Sequence, residues 1–236
     1  MSSKKQQQSL ESKKEKTQPL FVKLYLTVYN LAACIGWLLV FIKCFNKISK
    51  QDYFTIYEDC ELELKVAQTM ALLEVIHSKG LLGFVGSPWI TTFMQVSSRI
   101  WTLWAIMVIT KDAQTSIFTL LAITSWSMVE IPRYLFYALS LWDACPYPLI
   151  WLRYSLFAIL YPTGITGELG CMYMAYKSEE IKKYDFFILD TNPIVYVNLA
   201  FITLLVVLTY IPGSPFMYMH MVKARSKALN SKPKEE

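Results

Sequence analysis

The sequence predicts an all-α membrane protein, a polytopic bundle of six transmembrane helices with both termini in the cytosol. Of the 236 residues, 54% are hydrophobic and only 17% are charged, against about 25% charged in a typical soluble domain. The charges crowd at the ends: of 23 lysines and arginines, six lie in residues 1–23 and five in residues 220–236. Between them lie six apolar stretches of about 20 residues, the length that spans a bilayer.

The charge pattern divides the chain into three parts. Residues 1–23 are predicted to be a disordered, basic cytosolic tail, too long before the apolar stretch that begins at Leu24 for a cleavable signal peptide. Residues 24–219 are the six-helix transmembrane domain, and residues 220–236 are a second cytosolic tail. Because the net charge of +5 comes from the tails, we expect a lipid bilayer and no nucleic acid as partner.

Six predicted spans follow from the apolar stretches. In order they are Leu24–Ile42, Val66–Val85, Trp89–Thr110, Ile117–Trp142, Leu149–Tyr176 and Ile194–Met219. The first and last contain no Asp, Glu, Lys, Arg or His, and are the clearest. The second contains Glu74, His77 and Lys79, so a buried or interfacial amphipathic helix is an alternative for it.

The orientation follows from the positive-inside rule. The two tails share one side and hold 11 lysines and arginines, whereas the three opposite loops hold eight, mixed with acidic residues. This bias favours cytosolic tails. The chain ends Lys232-Pro233-Lys234-Glu235-Glu236, which has the K-x-K-x-x form of a signal for retrieval to the endoplasmic reticulum; an ordinary charged tail is the alternative.

Ionisable side chains inside the spans are functional candidates, because each costs about 2.5–3.5 kcal/mol at a helix centre and needs a partner. They are Glu74, His77, Arg99, Glu130, Arg133, Arg153 and Glu168. So many ionisable side chains inside the spans predict that the helices enclose a polar interior. Spacing of three residues lets Glu130 and Arg133 form a structural ion pair, and it lets Glu74 and His77 form a polar pair.

The fifth span concentrates the candidate chemistry. Tyr154, Tyr161 and Glu168 recur every seven residues, which places them on one face of a helix. In a regular helix Tyr161 and Glu168 lie about 10 Å apart, too far for a hydrogen bond. Pro162 and two glycines lie between them, and these either distort the helix or serve as a packing motif. The residues alone indicate an intramembrane acid/base site or a kinked helix.

Residues 151–168 read W-L-R-Y-S-L-F-A-I-L-Y-P-T-G-I-T-G-E. This stretch closely resembles the signature of the 3-hydroxyacyl-CoA dehydratase family, also called protein-tyrosine-phosphatase-like proteins. The similarity covers nearly the whole chain, and it includes Trp126 and the segment Tyr210-Ile211-Pro212. The resemblance implies a six-span enzyme of the endoplasmic reticulum, a hydro-lyase. It would convert very-long-chain 3-hydroxyacyl-CoA to trans-2-enoyl-CoA in the third step of fatty-acid elongation, with Tyr161 and Glu168 as its catalytic pair.

This dehydration removes a proton next to a thioester and protonates a departing hydroxide, which a paired acid and base can do. Tyrosine is a poor base near neutral pH because its reference pKa is about 10, but a neighbouring glutamate can polarise it. We first assign the α-proton to Tyr161 and the leaving oxygen to Glu168. The reverse assignment stays open.

Basic residues near the cytosolic ends of the spans are candidates for binding the phosphates of CoA. His77, Lys79, Arg133 and Arg153 would form a basic mouth there, and Arg99 is a further substrate-binding candidate; pairing with Glu74 and Glu130 is the alternative. No cysteine and histidine cluster has zinc spacing, so we expect no metal. We expect no cofactor apart from the CoA of the substrate. The resemblance implies elongation condensing enzymes and reductases as partners.

Two other functions are weighed against the dehydratase. A non-catalytic membrane scaffold or transporter of the same fold would be free to lose Tyr161 or Glu168, and both are present. The older family name rests on a His-Cys element that resembles a phosphatase nucleophile loop. The corresponding stretch here, residues 77–80, is His-Ser-Lys-Gly. With no cysteine, it cannot supply a thiolate nucleophile.

Overall fold

The computed structural model describes residues 18–87, 89–189 and 195–230. Most of the predicted N-terminal tail and both lysines of the predicted retrieval signal, Lys232 and Lys234, lie outside the described residues. Helices dominate the described part, so the predicted all-α fold class is confirmed. A short antiparallel hairpin of β1 (Asp185–Leu189) and β2 (Val195–Asn198) is an addition to that prediction.

The described helices join into six long rods. The ten described α-helices are α1 (Leu20–Ser49), α2 (Ile56–Met70), α3 (Leu72–His77), α4 (Trp89–Ile100), α5 (Lys111–Gln114), α6 (Ile117–Ser140), α7 (Tyr147–Ser155), α8 (Phe157–Lys177), α9 (Glu179–Lys182) and α10 (Leu199–Asn230). The rods are α1, α2 with α3, α4, α6, α7 with α8, and α10, while α5 and α9 are short connecting helices. Ala71 joins α2 to α3, and Leu156 joins α7 to α8, both in helical conformation. A π-helical stretch, Trp101–Met107, extends α4. A 3₁₀ turn, Tyr53–Thr55, precedes α2.

The second rod is displaced from its predicted position. The prediction placed it at Val66–Val85, but the helix begins ten residues earlier, at Ile56, and ends at His77. Hydropathy misses the first half because α2 is amphipathic. Its buried side chains, such as Ile56, Cys60 and Leu64, recur every three or four residues. Its charged side chains lie nearer the surface, where Glu63 pairs with Lys43 of α1 at 2.7 Å.

The outer ends of the first and last rods also extend past the predictions. Helix α1 begins at Leu20, four residues before the predicted span, and α10 continues to Asn230, eleven residues beyond it. Part of the predicted C-terminal tail is therefore helical. Residues 220–230 contain no glycine or proline and several strong helix formers, so nothing in the sequence stops the helix there.

Two of the described helices, α1 and α10, are long and apolar enough to cross a membrane, with mean hydropathy of 1.9 and 1.8 in their most apolar windows. Both also expose large apolar side chains along much of their length. This finding supports association with a membrane.

Contacts at the rod ends show that successive rods run in alternating directions. At one end Trp142 Nε1, just after α6, donates to Thr27 Oγ1 near the start of α1 at 2.9 Å. At the other end the backbone N–H of Lys111 donates to Glu180 at 2.7 Å. Helix α7, which follows Trp142, meets the last turns of α10 through a hydrogen bond from Arg225 to Ser155. The described N- and C-terminal ends of the bundle therefore lie on the same side.

Helix α6 is the central element, and it packs against α1 on one side and α8 on the other. Its residues Ala122, Ile123 and Trp126 belong to the main buried core, together with Trp37 of α1 and Met172 of α8. This placement leaves the other face of α6 toward α4 and α10, where the polar interior forms.

Candidate active site

A cavity of about 620 Å³ lies among α4, α6, α8 and α10, and Arg153, near the end of α7, forms part of its wall. Both members of the predicted catalytic pair, Tyr161 and Glu168, line it. The seven-residue spacing accounts for this, because two helical turns return a side chain to nearly the same face. Most of the remaining wall is apolar, so the cavity can hold a lipid-like substrate around a few polar groups.

Glu168 is buried and held by two donors from two other helices. Trp126 Nε1 of α6 donates to Glu168 Oε1 at 2.9 Å, and the Tyr210 hydroxyl of α10 donates to Glu168 Oε2 at 2.5 Å. Each carboxylate oxygen thus accepts one hydrogen bond. Two donors aimed at separate oxygens stabilise an ionised carboxylate and fix its orientation.

Close contact between α6 and α8 makes the Trp126 bond possible. A Cβ atom added at Gly167 would lie 2.5 Å from the backbone nitrogen of Ala122 and 2.9 Å from the carbonyl oxygen of Phe118. Only glycine fits there, so Gly167 serves as a packing contact, whereas a Cβ at Gly164 would meet only the Ser125 Cβ at an ordinary 3.6 Å. Helix α8 continues through Pro162 without unwinding.

Tyr161 is half-buried, and its hydroxyl donates to the backbone carbonyl of Ser214 at 3.3 Å. Ser214 lies in α10 between two prolines, Pro212 and Pro215. Tyr161 and Glu168 form no hydrogen bond with each other; they face one cavity with room for a substrate between them. The Tyr161 hydroxyl keeps its proton in this arrangement, whereas both oxygens of Glu168 accept.

A network of four charges lies beside the pair. Arg99 Nη1 donates to Glu130 Oε1 at 2.6 Å, and Arg133 Nε donates to Glu130 Oε2 at 2.8 Å. The two Nη atoms of Arg133 donate to the two oxygens of Glu74, each at 2.7 Å. The Tyr134 hydroxyl also donates to Glu74. Two arginines and two glutamates balance, which makes this network a buried neutral support between α3, α4 and α6.

Arg153 differs from the other two arginines of the cavity. Its Nη2 donates to the Tyr137 hydroxyl at 3.2 Å, and its guanidinium lies over the rings of Tyr137 and Tyr154. Among the described residues no carboxylate pairs with it. Its buried Nε has no hydrogen-bond partner in the described part of the chain. The Arg153 guanidinium can therefore bind an anion.

His77 lies apart from the cavity lining. Its Nε2 is 2.9 Å from the Tyr25 hydroxyl, and its ring packs edge-on against Tyr25 and Tyr29 and stacks on Phe84. The pairing of Glu74 with His77, left open by the sequence, is replaced by pairing of Glu74 with Arg133. His77 is thus part of an aromatic cluster at the start of α1.

The loop after α3 holds the stretch that corresponds to the phosphatase-like element. The Ser78 hydroxyl is fully buried and donates to the Val75 carbonyl at 2.6 Å, so it presents no nucleophile. Gly80, with φ of 113°, packs beneath Trp89. This loop closes the aromatic cluster.

Sequence reasoning assigned no role to Trp126 and Tyr210, although both belong to the stretches that carry the family resemblance. A signal was present, because an indole N–H and a phenol inside apolar spans each need a hydrogen-bond partner. Their positions in the sequence did not indicate Glu168 as that partner, because each lies 42 residues from it along the chain.

The fold and the cavity define a class: a helical, membrane-associated protein with a buried carboxylate and a tyrosine facing one chamber. The family model for protein tyrosine phosphatase-like protein, PTPLA, matches residues 68–231. The chain therefore belongs to this family, and the resemblance recognised in the sequence is confirmed.

Curated relatives cover most of the chain. A very-long-chain (3R)-3-hydroxyacyl-CoA dehydratase of Caenorhabditis elegans is 36% identical over 217 residues, 91% of this chain and 99% of the relative. Very-long-chain (3R)-3-hydroxyacyl-CoA dehydratase PASTICCINO 2 of Arabidopsis thaliana is 35% identical over 216 residues, 90% of this chain and 96% of the relative. Very-long-chain (3R)-3-hydroxyacyl-CoA dehydratase 2 of Mus musculus is 36% identical over 216 residues, with coverages of 87% and 81%. No solved structure matches the chain.

Proposed function

We propose that this chain is a hydro-lyase that converts long- and very-long-chain (3R)-3-hydroxyacyl-CoA to trans-2-enoyl-CoA, the dehydration step of fatty-acid elongation. The names of relatives that cover the chain almost end to end support the reaction. The observation that carries the proposal is the presence of Tyr161 and Glu168 on the wall of one largely apolar cavity.

We assign the base to Glu168 and the acid to Tyr161, the reverse of the first assignment from the sequence. The donors Trp126 and Tyr210 favour an ionised Glu168, which can accept a proton. The Tyr161 hydroxyl still carries its proton, which it donates in a hydrogen bond to the backbone carbonyl of Ser214 at 3.3 Å. A substrate hydroxyl placed in the cavity can take the place of that carbonyl.

The reaction balances without a metal or redox step. Glu168 accepts the proton from C2, and the electron pair of that C–H bond forms the C2–C3 double bond. The C3–O bond breaks while Tyr161 protonates the departing oxygen, which leaves as water. The proton now on Glu168 returns to the tyrosinate, and both groups are restored. General acid and general base catalysis contribute about 10²–10⁴-fold for each well-placed group.

We assign recognition of the CoA phosphates to Arg153, which lines the cavity and has a guanidinium without a carboxylate partner among the described residues. Arg99 and Arg133 also line the cavity, but Glu130 and Glu74 already match their charges. Their part in the proposal is to support the cavity wall. The acyl chain would lie along the apolar wall of the cavity.

The cellular setting is a further part of the proposal. The six rods would span the membrane of the endoplasmic reticulum, with both tails in the cytosol and Lys232 and Lys234 as a retrieval signal. The other four rods do not combine the length and the hydropathy that mark α1 and α10, but they alternate in direction and enclose the charged network between them. Elongation condensing enzymes and reductases would supply the substrate and use the product.

The purified chain in detergent, given a long-chain (3R)-3-hydroxyacyl-CoA, tests the reaction through the appearance of trans-2-enoyl-CoA. No turnover by properly folded protein would contradict the proposal.

A substrate with fluorine in place of the 3-hydroxyl tests the assignment of acid and base, because fluoride leaves without a proton from the enzyme. Tyr161→Phe should then regain much of the lost rate, while Glu168→Gln should not. Recovery by Glu168→Gln alone would restore the opposite assignment.

A further inference from the structure

A second cavity, of about 490 Å³, lies between α7 and the end of α10, on the side of the bundle where both described termini lie. Trp151, Ser155, Val222 and Arg225 line it. Phe157 lines this groove and the catalytic cavity alike. The two cavities are therefore neighbours with one shared wall.

The groove offers a cation and an aromatic surface. Arg225 Nε donates to Ser155 Oγ at 3.2 Å, which anchors its guanidinium, and no carboxylate pairs with Arg225 in residues 18–230 as far as the structure describes them. Trp151 is 46% exposed. Among the residues that the structure describes, no acidic side chain lines this groove. An arginine binds phosphate through several N–H groups, and an indole face stacks on a nucleobase.

The position of Arg153 connects the groove to the reaction. Arg153 lies on α7 between Trp151 and Ser155, but its side chain lines the catalytic cavity. Arg153, which pairs with no carboxylate among the described residues, and Arg225 thus line two neighbouring cavities that share Phe157. Both suit the phosphates of one elongated anionic ligand.

We propose that this groove binds the nucleotide end of the CoA substrate, with the adenine on Trp151 and phosphate on Arg225, while the thioester reaches Tyr161 and Glu168 past Arg153. This inference rests on the proposed dehydratase function and adds a binding site to it. An anionic lipid headgroup would satisfy the arginine as well, but it has no aromatic base to stack on the exposed indole, and it would not require a neighbouring catalytic cavity.

Kinetics of the full chain in detergent test this site with two substrates, the 3-hydroxyacyl-CoA and the same acyl group on pantetheine, which lacks the nucleotide. Arg225→Gln should raise KM for the CoA thioester by about tenfold, as expected for a charged hydrogen bond. It should leave KM for the pantetheine thioester at its wild-type value. Lys223→Gln is the matched control: it removes the same charge from the same helix end, outside the groove, and should change neither value.

Adenosine 3′,5′-bisphosphate provides a second measurement. It should inhibit the wild-type protein competitively against the CoA thioester, and inhibition should weaken in Arg225→Gln and in Trp151→Ala. Equal KM changes for both substrates, or none for either, would overturn the inference.

The source of the phosphate is tested in vesicles of phosphatidylcholine with and without phosphatidylserine. If Arg225→Gln raises KM only when phosphatidylserine is present, the groove binds lipid and the inference is overturned. Absence of turnover in the wild-type protein would refute the dehydratase proposal itself, whereas an active wild type with no nucleotide effect would refute this site alone.

Discussion

Gly167 lies where α8 comes closest to α6, and Gly167→Ala should damage both the fold and the site. The added Cβ would lie 2.5 Å from the Ala122 nitrogen, where ordinary contact begins at 3.4 Å. Because the atoms it meets belong to the backbone, relief requires the helices to separate by about 0.9 Å (3.4 − 2.5). The Trp126–Glu168 hydrogen bond would then lengthen from 2.9 Å to about 3.8 Å, beyond hydrogen-bond range.

The expected cost follows from overpacking, about 1–3 kcal/mol. At about 2–4 °C per kcal/mol for a chain of this size, the melting temperature in detergent should fall by roughly 2–12 °C. Turnover of 3-hydroxyacyl-CoA should fall by about tenfold or more, because Glu168 loses one of its two donors.

Gly36→Ala is the matched control for this change. It is also a glycine inside a helix, but its added Cβ would meet only the Ala67 Cβ at 3.6 Å, an ordinary contact. Alanine should therefore be neutral or stabilising there, with unchanged turnover. A Gly167→Ala protein that melts and turns over like the wild type would refute the close-packing argument.

Glu130→Gln should leave Arg99 and Arg133 short of a partner and cost about 3–5 kcal/mol; a normal yield of folded protein in size-exclusion chromatography would speak against this. Tyr210→Phe removes one hydroxyl beside Glu168 and should slow turnover by about 10–100-fold with little change in melting; wild-type turnover would remove Tyr210 from the site. In sealed microsomes, external protease should cut both tails, and protection of either tail would contradict the proposed topology.

The helical bundle and the shared face of Tyr161 and Glu168 could be predicted because both depend on local periodicity. Apolar stretches mark the helices, and a seven-residue spacing places two side chains together whatever the rest of the chain does. The start of α2 at Ile56 could not be read the same way. Averaged hydropathy hides an amphipathic helix whose charged face is compensated by pairs such as Lys43 with Glu63.

The partners of the buried charges depend on which helices pack together, and sequence spacing does not contain that information. Sequence spacing suggested His77, three residues away, as the partner of Glu74. In the bundle, Glu74 instead pairs with Arg133, which is 59 residues away. The same holds for Trp126 and Tyr210, whose role follows from the contact of α6, α8 and α10 around one carboxylate.

The central claim is that Tyr161 and Glu168 act as one acid–base unit, and the turnover of the double variant tests it most directly. Tyr161→Phe and Glu168→Gln should each cut dehydration of 3-hydroxyacyl-CoA by about 10²-fold or more. The double variant should be little slower than the slower single one, because residues that act as a unit are not additive. Tyr154→Phe, on the adjoining helix α7 and outside the cavity lining, should keep near-normal turnover. Near-normal dehydration by either single variant, or an equal loss in Tyr154→Phe, would contradict the claim.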